Sequence, residues 1–386
     1  MSLPMNKTPR AITAKALITP DGVISHPLVL LKDGRIESIS TQAAGEAPKD
    51  TLHLPETTLS AGFLDVHVHG AGGRDVMEGS AEAIDTVART LASYGTTRFL
   101  ATTVTATVDH ILSALDTIAT AIETGPSSPE AATPIGIHLE GPFLSHAKRG
   151  VHSPALLQAP SIELFDRFVE AARGHICLMT IAPELPDALD LIAHASGKGV
   201  RVSLGHSDAV AAVARAGIAA GAVSATHTFN AMRGLTQREP GMLGVVLDAD
   251  ELYAELICDG IHTTPEAVRL WLKMKGLDRA LLVTDGMAAT GMPDGEYLLG
   301  DMLAVVTNGV AMHDGALAGS VLTMDKAVAN VQAFTGIDLP SAVYLASRNP
   351  AAMLGLPATS EWADFNLFDD TGQRTGTILR GRLLSV

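Results

Sequence analysis

Six side chains of the kinds that bind metal ions stand directly after short apolar runs in this chain. They are His67, His69, Glu140, His206, His227 and Asp285. Residues i and i+2 of a strand point to the same face, so His67 and His69 can offer two imidazoles to one site. Imidazoles and carboxylates without thiolates suit zinc, and also iron, cobalt or manganese. The sequence therefore predicts a divalent metal site, and ligand type alone leaves zinc, iron, cobalt and manganese open.

The prediction of a metal site depends on the six residues taken together. A single histidine at a strand end is more often a hydrogen-bonded core residue than a ligand, and His-x-His alone recurs by chance. Four imidazoles and two carboxylates in one pocket, however, carry a large desolvation cost unless a cation balances them. Structural roles are expected for the histidines that lie elsewhere: His26, His53, His110, His175, His194 and His313.

Eight apolar strands alternate with Ala-rich helical segments between Gly62 and Gly286. The candidate strands are FLDVHVHG, TRFLATTVT, IGIHLEGP, ICLMTIAPE, RVSLGHS, AVSATHTFN, YAELICDG and ALLVTDG. Such alternation requires parallel pairing with crossover helices, and eight units in roughly 250 residues predict a closed (β/α)8 TIM-like barrel. An open doubly wound sheet is the competing architecture, but no G-x-G-x-x-G follows the first strand. In a barrel the carboxyl ends of all strands meet at one mouth, which would make the six residues neighbours.

Both ends of the chain are typical of β-structure. Short apolar runs cover residues 14–18, 28–31 and 36–39, and the Asp33-Gly34 pair between the last two predicts a tight hairpin. The C-terminal segments ADFNLFDD and TILRGRLLSV have a similar character. We therefore predict a small β-sandwich domain from residues 1–60 plus 351–386, with the barrel of residues 61–350 inserted between its halves.

Composition narrows the possible partners and compartment. The 386 residues include 27 Lys+Arg and 42 Asp+Glu, a net charge of -15, and no run of basic residues provides a binding stripe for nucleic acid or an anionic membrane. Cys177 and Cys258 are far apart, which speaks against a disulfide framework and favours a reducing compartment. The chain has neither a secretory signal pattern nor about 18 uninterrupted apolar residues, so we expect a cytoplasmic protein.

A series of motifs carries a more specific resemblance. In chain order they are HVHG, IHLEGPFL, KRGVH, SLGHS, THTFNAM, REPG, CDGIH, VTDGM and ALAGSVLTM. Together, from about residue 62 to 350, they resemble the N-acetylglucosamine-6-phosphate deacetylases of the amidohydrolase superfamily. HVHG and VTDG are typical of the whole superfamily, whereas HLEGP, THTFNAM and CDGIH narrow the resemblance to the deacetylases.

The resemblance implies roles for individual residues. Glu140, His206 and His227 would hold the main metal ion, and His67 with His69 would complete a second site that only some members have. Asp285 would be the catalytic aspartate. Contacts to the substrate would fall on His152, Asn230, Ala231, Arg238, His262, Leu317, Ala318 and Gly319. The arginine matching Arg238 can reach the site from a neighbouring subunit in this family, which implies a homodimer.

The implied reaction converts N-acetyl-D-glucosamine 6-phosphate into D-glucosamine 6-phosphate and acetate, a step of amino-sugar catabolism. Metal coordination lowers the pKa of a water molecule that attacks as hydroxide, and it polarises the amide carbonyl. Asp285 could accept the water's proton and deliver it to the departing amine. The partner would then be a small amino-sugar phosphate, whose dianion Arg238 can bind through paired hydrogen bonds.

Two alternatives stay open at this point. The first is another hydrolase or deaminase of the same superfamily, acting on a related amide. Dihydroorotase-like relatives often bridge two metals with a carboxylated lysine on strand 4, but ICLMTIAPE contains no lysine, and Glu140 would take the bridging role. The second is a catalytically silent scaffold, which has no need to keep six residues of ligand type.

Overall fold

Strands and helices alternate along the middle of the chain in the computed structural model, which describes residues 8–44 and 47–384. In chain order the strands are β1 (Ala11–Thr19), β2 (Gly22–Ser25), β3 (Pro27–Lys32), β4 (Arg35–Thr41), β5 (Thr51–Ala61), β6 (Phe63–Val68), β7 (Gly70–Ala71), β8 (Arg74–Asp75), β9 (Thr96–Thr103), β10 (Thr133–Glu140), β11 (Ile176–Ile181), β12 (Arg201–Leu204), β13 (Ala222–Ala225), β14 (Tyr253–Ile257), β15 (Ala280–Val283), β16 (Gly295–Leu299), β17 (Met302–Thr307), β18 (Val310–His313), β19 (Ala316–Leu317), β20 (Phe365–Phe368), β21 (Arg374–Leu379) and β22 (Arg382–Leu383). The α-helices are α1 (Ala81–Ser93), α2 (Val108–Thr124), α3 (Ile162–Ala171), α4 (Ala188–Gly197), α5 (Ala211–Ala219), α6 (Gly241–Asp248), α7 (Pro265–Arg279), α8 (Met324–Thr335), α9 (Leu339–Ala346) and α10 (Arg348–Leu354).

Eight parallel strands form the predicted barrel. They pair in the order β6, β9, β10, β11, β12, β13, β14 and β15. A bridge between Val68 and Gly286 brings the ends of β6 and β15 together, and the main-chain N–H of His69 donates to the carbonyl of Gly286 at 2.8 Å. Each strand is followed by at least one helix before the next, and α8 to α10 follow β15. The prediction of a (β/α)8 barrel is confirmed.

Burial on two sides explains why the barrel strands are continuous apolar runs. Every residue of β15 is buried, because its neighbours fill the barrel on one side and helices cover the other. The helices bury one stripe each, as in α1, where Ile84, Val87 and Leu91 are buried at helical spacing. Ser80 begins that helix by accepting a hydrogen bond from the N–H of Ala83 at 3.1 Å.

The two ends of the chain share a second sheet. Its order is β22-β21-β20-β5-β1-β3-β4, with β2 paired to β1, and it encloses an apolar cluster of its own. This confirms a small β-unit built from both termini. The predicted hairpin joins β3 and β4, with Asp33 (φ 53°) and Gly34 (φ 78°) both in the left-handed conformation that a two-residue turn requires. The exact domain boundaries stay a prediction, and residues 1–7, 45–46 and 385–386 lie outside the described part.

A small antiparallel sheet of β16 to β19 follows the last barrel strand. Leu299, at the end of β16, and Leu317, in β19, line a cavity at the carboxyl ends of the barrel strands. Leu298, Leu303 and Val305 are nearly half exposed on this sheet. Among the described residues, no helix has both the length and the apolar character needed to cross a bilayer.

Candidate metal and active site

The cavity at the carboxyl ends of the barrel strands has a volume of about 310 Å³. Its polar lining includes most of the residues singled out from the sequence: His69, Glu140, His152, His206, His227, Asn230, His262 and Asp285. Ala231, Leu317 and Gly319 also line it. This is where active sites of the fold are built, and the volume is in the range of small-molecule sites.

Glu140 stands at the centre of the site, with one carboxylate oxygen directed to each of two histidine pairs. Its Oε2 lies 3.3 Å from Nε2 of His67 and 3.2 Å from Nε2 of His69. Its Oε1 lies 3.2 Å from Nε2 of His206 and 3.3 Å from Nε2 of His227. A carboxylate in this arrangement can bridge two cations.

Three of the site residues have left-handed backbone conformations just beyond their strands. His206, His227 and Asp285 have φ angles of 47°, 30° and 50°. Non-glycine residues adopt this region at a cost in free energy, and such residues cluster at functional sites. The turn ends each strand and directs the side chain to the centre of the mouth.

Closure of the barrel brings Asp285 close to His67 and His69. Its Oδ1 lies 3.1 Å from Nε2 of His69 and 3.4 Å from Nε2 of His67. Burial raises the pKa of Asp285, but the positive charges of His67 and His69 outweigh this effect and lower it to about 2. Asp285 is therefore ionised at neutral pH.

The buried carboxylates at the centre of the site favour positive charge next to them. Burial lowers the pKa of His69, but hydrogen bonds and charge from Asp285 and Glu140 overcome it and raise that pKa to about 9. The pKa of His67 is raised for the same reasons. The pKa of Glu140, which burial alone would raise, is held well below its usual range by the surrounding histidines. Protons on imidazoles or bound cations can supply this charge.

The donor set fits divalent cations. Nε2 of His206 and Nε2 of His227 are 3.0 Å apart, and those of His67 and His69 are 3.3 Å apart. Ligands about 2.0–2.1 Å from one tetrahedral ion are separated by about 3.3 Å. Although Oε1 of Glu140 is buried among these nitrogens, no hydrogen bond within the described residues satisfies it. Two groups of ligand atoms are compact enough to share an ion: His67, His69 and Asp285, and Glu140, His152 and His206.

Backbone carbonyls orient two of the imidazoles. Nδ1 of His69 donates to the carbonyl of Thr102 at 3.0 Å, and Nδ1 of His206 donates to the carbonyl of Lys148 at 2.9 Å. These bonds place the remaining proton on Nδ1, which leaves the Nε2 lone pair for a metal ion.

His152 and His262 occupy the cavity wall, held by polar partners. Nδ1 of His152 lies 2.9 Å from the hydroxyl of Thr105, and burial together with the charge of His206 lowers the pKa of His152 to about 3. His152 is therefore a neutral imidazole. Nδ1 of His262 lies 2.6 Å from Oδ2 of Asp259.

Other predicted residues are placed differently. His67 and Ala318 are both fully buried, and neither lines the cavity. Arg238 is exposed and is not part of the cavity lining. Lys148, which the sequence analysis did not single out, does line it. Its Nζ is 3.9 Å from Oδ1 of Asp208.

Three buried polar side chains lie beside the proposed metal ligands and were not predicted from the sequence. Asp65 accepts a 2.5 Å hydrogen bond from Oγ1 of Thr284, and burial raises its pKa to about 6. The ring of His138 packs edge-on against His67, with centroids 4.6 Å apart. Glu255 also contacts His67. Strand alternation could have revealed two of them, since Asp65 precedes His67 by two residues and His138 precedes Glu140 by two.

Several known proteins are similar to this chain in sequence and in structure. Residues 58–384 match the amidohydrolase family. The N-acetylglucosamine-6-phosphate deacetylase of Bacillus subtilis (strain 168) is 36% identical over 343 residues, 88% of this chain and 87% of that protein. The N-acetylgalactosamine-6-phosphate deacetylase of Escherichia coli O157:H7 is also 36% identical, over 89% of each chain.

A solved structure extends the match to the whole fold. A mutant N-acetyl-D-glucosamine-6-phosphate deacetylase from Mycobacterium smegmatis, in complex with N-acetyl-D-glucosamine-6-phosphate, has a TM-score of 0.91. It is 32% identical in sequence, and the match covers 98% of this chain and 100% of that one. This chain therefore belongs to the amidohydrolase family and groups within it with the N-acetylglucosamine-6-phosphate deacetylases.

Proposed function

We propose that this chain hydrolyses the N-acetyl group of N-acetyl-D-glucosamine 6-phosphate, giving D-glucosamine 6-phosphate and acetate. The observation that carries the proposal is the arrangement of Glu140, with one oxygen towards each histidine pair and Asp285 beside the first pair. A catalytically silent scaffold would have no use for this costly buried cluster. The deacetylase relatives supply the substrate class.

We propose that His206, His227 and Glu140 hold one divalent ion, and that His67 and His69 with Glu140 hold a second. Zinc is the first candidate because it accepts imidazole and carboxylate ligands, with iron, cobalt and manganese as alternatives. When bound, such ions lower the pKa of water and polarise a carbonyl oxygen. The residues of the chain do the remaining work.

Asp285 is the proposed proton carrier. With a pKa of about 2 it is ionised and can take a proton from the attacking water. The protonated carboxyl then gives this proton to the amine nitrogen as the C–N bond breaks, which avoids an amide anion as leaving group. One group thus acts first as base and then as acid.

His152 and His262 are the proposed hydrogen-bonding partners of the substrate. Both line the cavity, and His152 is uncharged because burial lowers its pKa to about 3. A neutral imidazole can donate to the oxygen that gains negative charge in the transition state without adding a full charge to the ground state. His262 donates through Nδ1 to Asp259, and in that tautomer its Nε2 is free to accept a hydrogen bond from a sugar hydroxyl.

The phosphate needs cationic or N–H donors in a chain of net charge -15. We propose that Lys148 of the same chain supplies one, together with the main chain around Asn230 and Ala231, which line the same cavity. Arg238, exposed outside this cavity, would reach the site of a second copy in a homodimer. The half-exposed apolar side chains of the β16–β19 sheet are the kind of surface that subunit contacts cover.

N-acetylgalactosamine 6-phosphate is the second candidate substrate. An N-acetylgalactosamine-6-phosphate deacetylase is as similar in sequence as the N-acetylglucosamine enzymes are. The two sugars differ only in the configuration of one ring hydroxyl.

The decisive experiment measures acetate release from N-acetylglucosamine 6-phosphate, N-acetylgalactosamine 6-phosphate and free N-acetylglucosamine, with metal analysis of the same sample. We expect the first sugar to have the highest kcat/KM and bound divalent metal to be present. A metal-free protein that releases acetate from none of them would refute the proposal.

We place the reaction in the cytoplasm, since Cys177 and Cys258 are both free thiols.

A further inference from the structure

We propose that Glu255 is a positioning residue that holds His67 in place for the second divalent ion. The inference rests on the proposed function, because it assumes that the pair of His67 and His69 binds an ion. Glu255 lies outside the cavity lining and does not reach the reacting atoms. It acts through His67.

Glu255 is the only charged residue of β14, and its side chain is fully buried inside the barrel. No lysine or arginine within the described residues forms an ion pair with it, and the only ion-pair partner of its carboxylate there is His67. Oε1 of Glu255 is buried without a hydrogen-bond partner among the described residues. A buried carboxylate with so few hydrogen bonds and no cationic partner other than an imidazole lowers the stability of the fold. An apolar side chain would therefore serve a purely structural role better.

The contacts of the carboxylate connect it to both halves of the site. Oε2 of Glu255 lies 3.3 Å from Nδ1 of His67, across 188 residues of sequence. The same oxygen accepts a 3.4 Å hydrogen bond from the main-chain N–H of His227. On the opposite side of the His67 ring, Nε2 faces Glu140 and Asp285. The His67 ring therefore lies between a carboxylate and the proposed ion site. In this arrangement the carboxylate fixes the tautomer of a metal-binding histidine and raises the basicity of its ring.

His67 differs in this respect from His69, His206 and His227, the other histidines proposed to hold the ions. Nδ1 of His69 and Nδ1 of His206 donate to neutral carbonyls, and Nδ1 of His227 has no hydrogen-bond partner among the described residues. Among the four histidines proposed to hold the ions, and within the described part of the chain, only His67 has a carboxylate at Nδ1. Loss of Glu255 should therefore weaken the ion at His67 and His69 far more than the ion at His206 and His227.

The test measures metal binding directly. Wild type, Glu255→Gln and Glu255→Leu are stripped with chelator and titrated with Zn²⁺ or Mn²⁺, and stoichiometry and both dissociation constants are determined. Asp364→Asn is the matched control, since Asp364 is a buried carboxylate away from the cavity. Circular dichroism verifies the fold of each variant.

We expect wild type and Asp364→Asn to bind two ions per chain. Glu255→Leu should bind the second ion about 10- to 100-fold more weakly. Glu255→Gln should fall between them, because its amide oxygen still accepts from Nδ1 but carries no charge. In Mn²⁺-loaded protein, the electron paramagnetic resonance signal of a coupled pair should give way to that of isolated ions.

A double variant separates positioning from general damage. In a His67→Asn background, which lacks the second site, Glu255→Gln should leave the affinity of the remaining ion unchanged. Wild-type affinity for both ions in Glu255→Gln and Glu255→Leu would overturn the inference, and so would equal weakening of both ions. If Glu255→Leu does not fold, Glu255→Gln decides alone. A wild type that binds one ion or none would instead refute the two-ion part of the proposed function, and the inference would fall with it.

Discussion

The main-chain N–H of Asp285 donates a 2.9 Å hydrogen bond to the carbonyl of His67, joining the end of the last barrel strand to the first. The same closure brings Oδ1 of Asp285 within 3.4 Å of Nε2 of His67. The proposed proton carrier and a proposed metal ligand are thus fixed relative to each other by main-chain hydrogen bonds. Barrel closure therefore assembles this part of the site.

Replacing Asp285 with asparagine should lower kcat for acetate release by about 10²- to 10⁴-fold, the range for loss of a general acid–base group. The amide keeps the size of the side chain but cannot accept the proton from water. Metal analysis of the same preparation should still find the ion at Glu140, His206 and His227. Near wild-type acetate release would exclude Asp285 as the proton carrier.

Removal of the metal should abolish activity and lower thermal stability. The buried carboxylates of Glu140 and Asp285 would then be balanced only by protons on the histidines. A ligand that binds only the folded state at 100 times its dissociation constant stabilises it by about 2.7 kcal/mol. We expect the unfolding temperature measured by calorimetry to fall on chelation and to recover when Zn²⁺ is restored. An unfolding temperature and an activity indifferent to chelation would contradict a metal site.

Lys148→Ala should raise KM for N-acetylglucosamine 6-phosphate about tenfold or more, since a hydrogen bond to a charged group is worth about 1.5–3 kcal/mol. Free N-acetylglucosamine should be affected little. Arg149→Ala is the matched control, because Arg149 is the next residue in sequence but does not line the cavity. Equal losses on both sugars, or an equal effect of the control, would place the phosphate elsewhere.

Arg238 can be tested by mixing subunits. If it acts in the neighbouring site, Arg238→Ala and Asp285→Asn chains, each impaired alone, should regain activity when they form mixed dimers. In such a dimer, one site combines an intact Asp285 with an intact Arg238 from the other chain. Light scattering establishes whether dimers are present. Mixed dimers without any recovery of acetate release would mean that Arg238 serves its own chain or no site.

We expect Lys275, which lies outside the active site, to make the free energy of unfolding depend on pH. Its Nζ donates to the carbonyl of Val246 at 3.0 Å, near the end of α6. Burial lowers the pKa of Lys275 from 10.5 to about 8 in the folded protein. As pH falls from 10.5 to 8, the unfolded chain takes up the proton first, and stability is lost; as pH rises over this range, stability is gained.

The expected gain is on the order of 1–3 kcal/mol, because each pKa unit of difference between the unfolded and the folded chain is worth about 1.4 kcal/mol. Lys275→Met removes the titration. The unfolding temperature of wild type minus that of the variant should therefore increase between pH 8 and pH 10. A constant difference across this range would show that the pKa of Lys275 is not lowered.

Local patterns in the chain are enough to predict the barrel strands and the residues that end them. Strand–helix alternation is a local pattern, and so is the placement of His206 or Asp285 after an apolar run. The Asp33-Gly34 turn follows from the conformational preferences of two adjacent residues. These features depend on neighbours a few positions away, so they can be read from the chain directly.

The way the side chains face one another depends on how the strands and loops pack in three dimensions. The division of Glu140 between two histidine pairs depends on strands brought together by barrel closure, and the contact of Glu255 with His67 spans 188 residues. Glu255 resembles any charge in an apolar strand until its partner is known. Similarly, Lys148 faces the cavity while Arg238 lies outside it, because loop paths are set by packing of the whole fold rather than by local sequence. Distances across the barrel are properties of closure, and no local pattern encodes them.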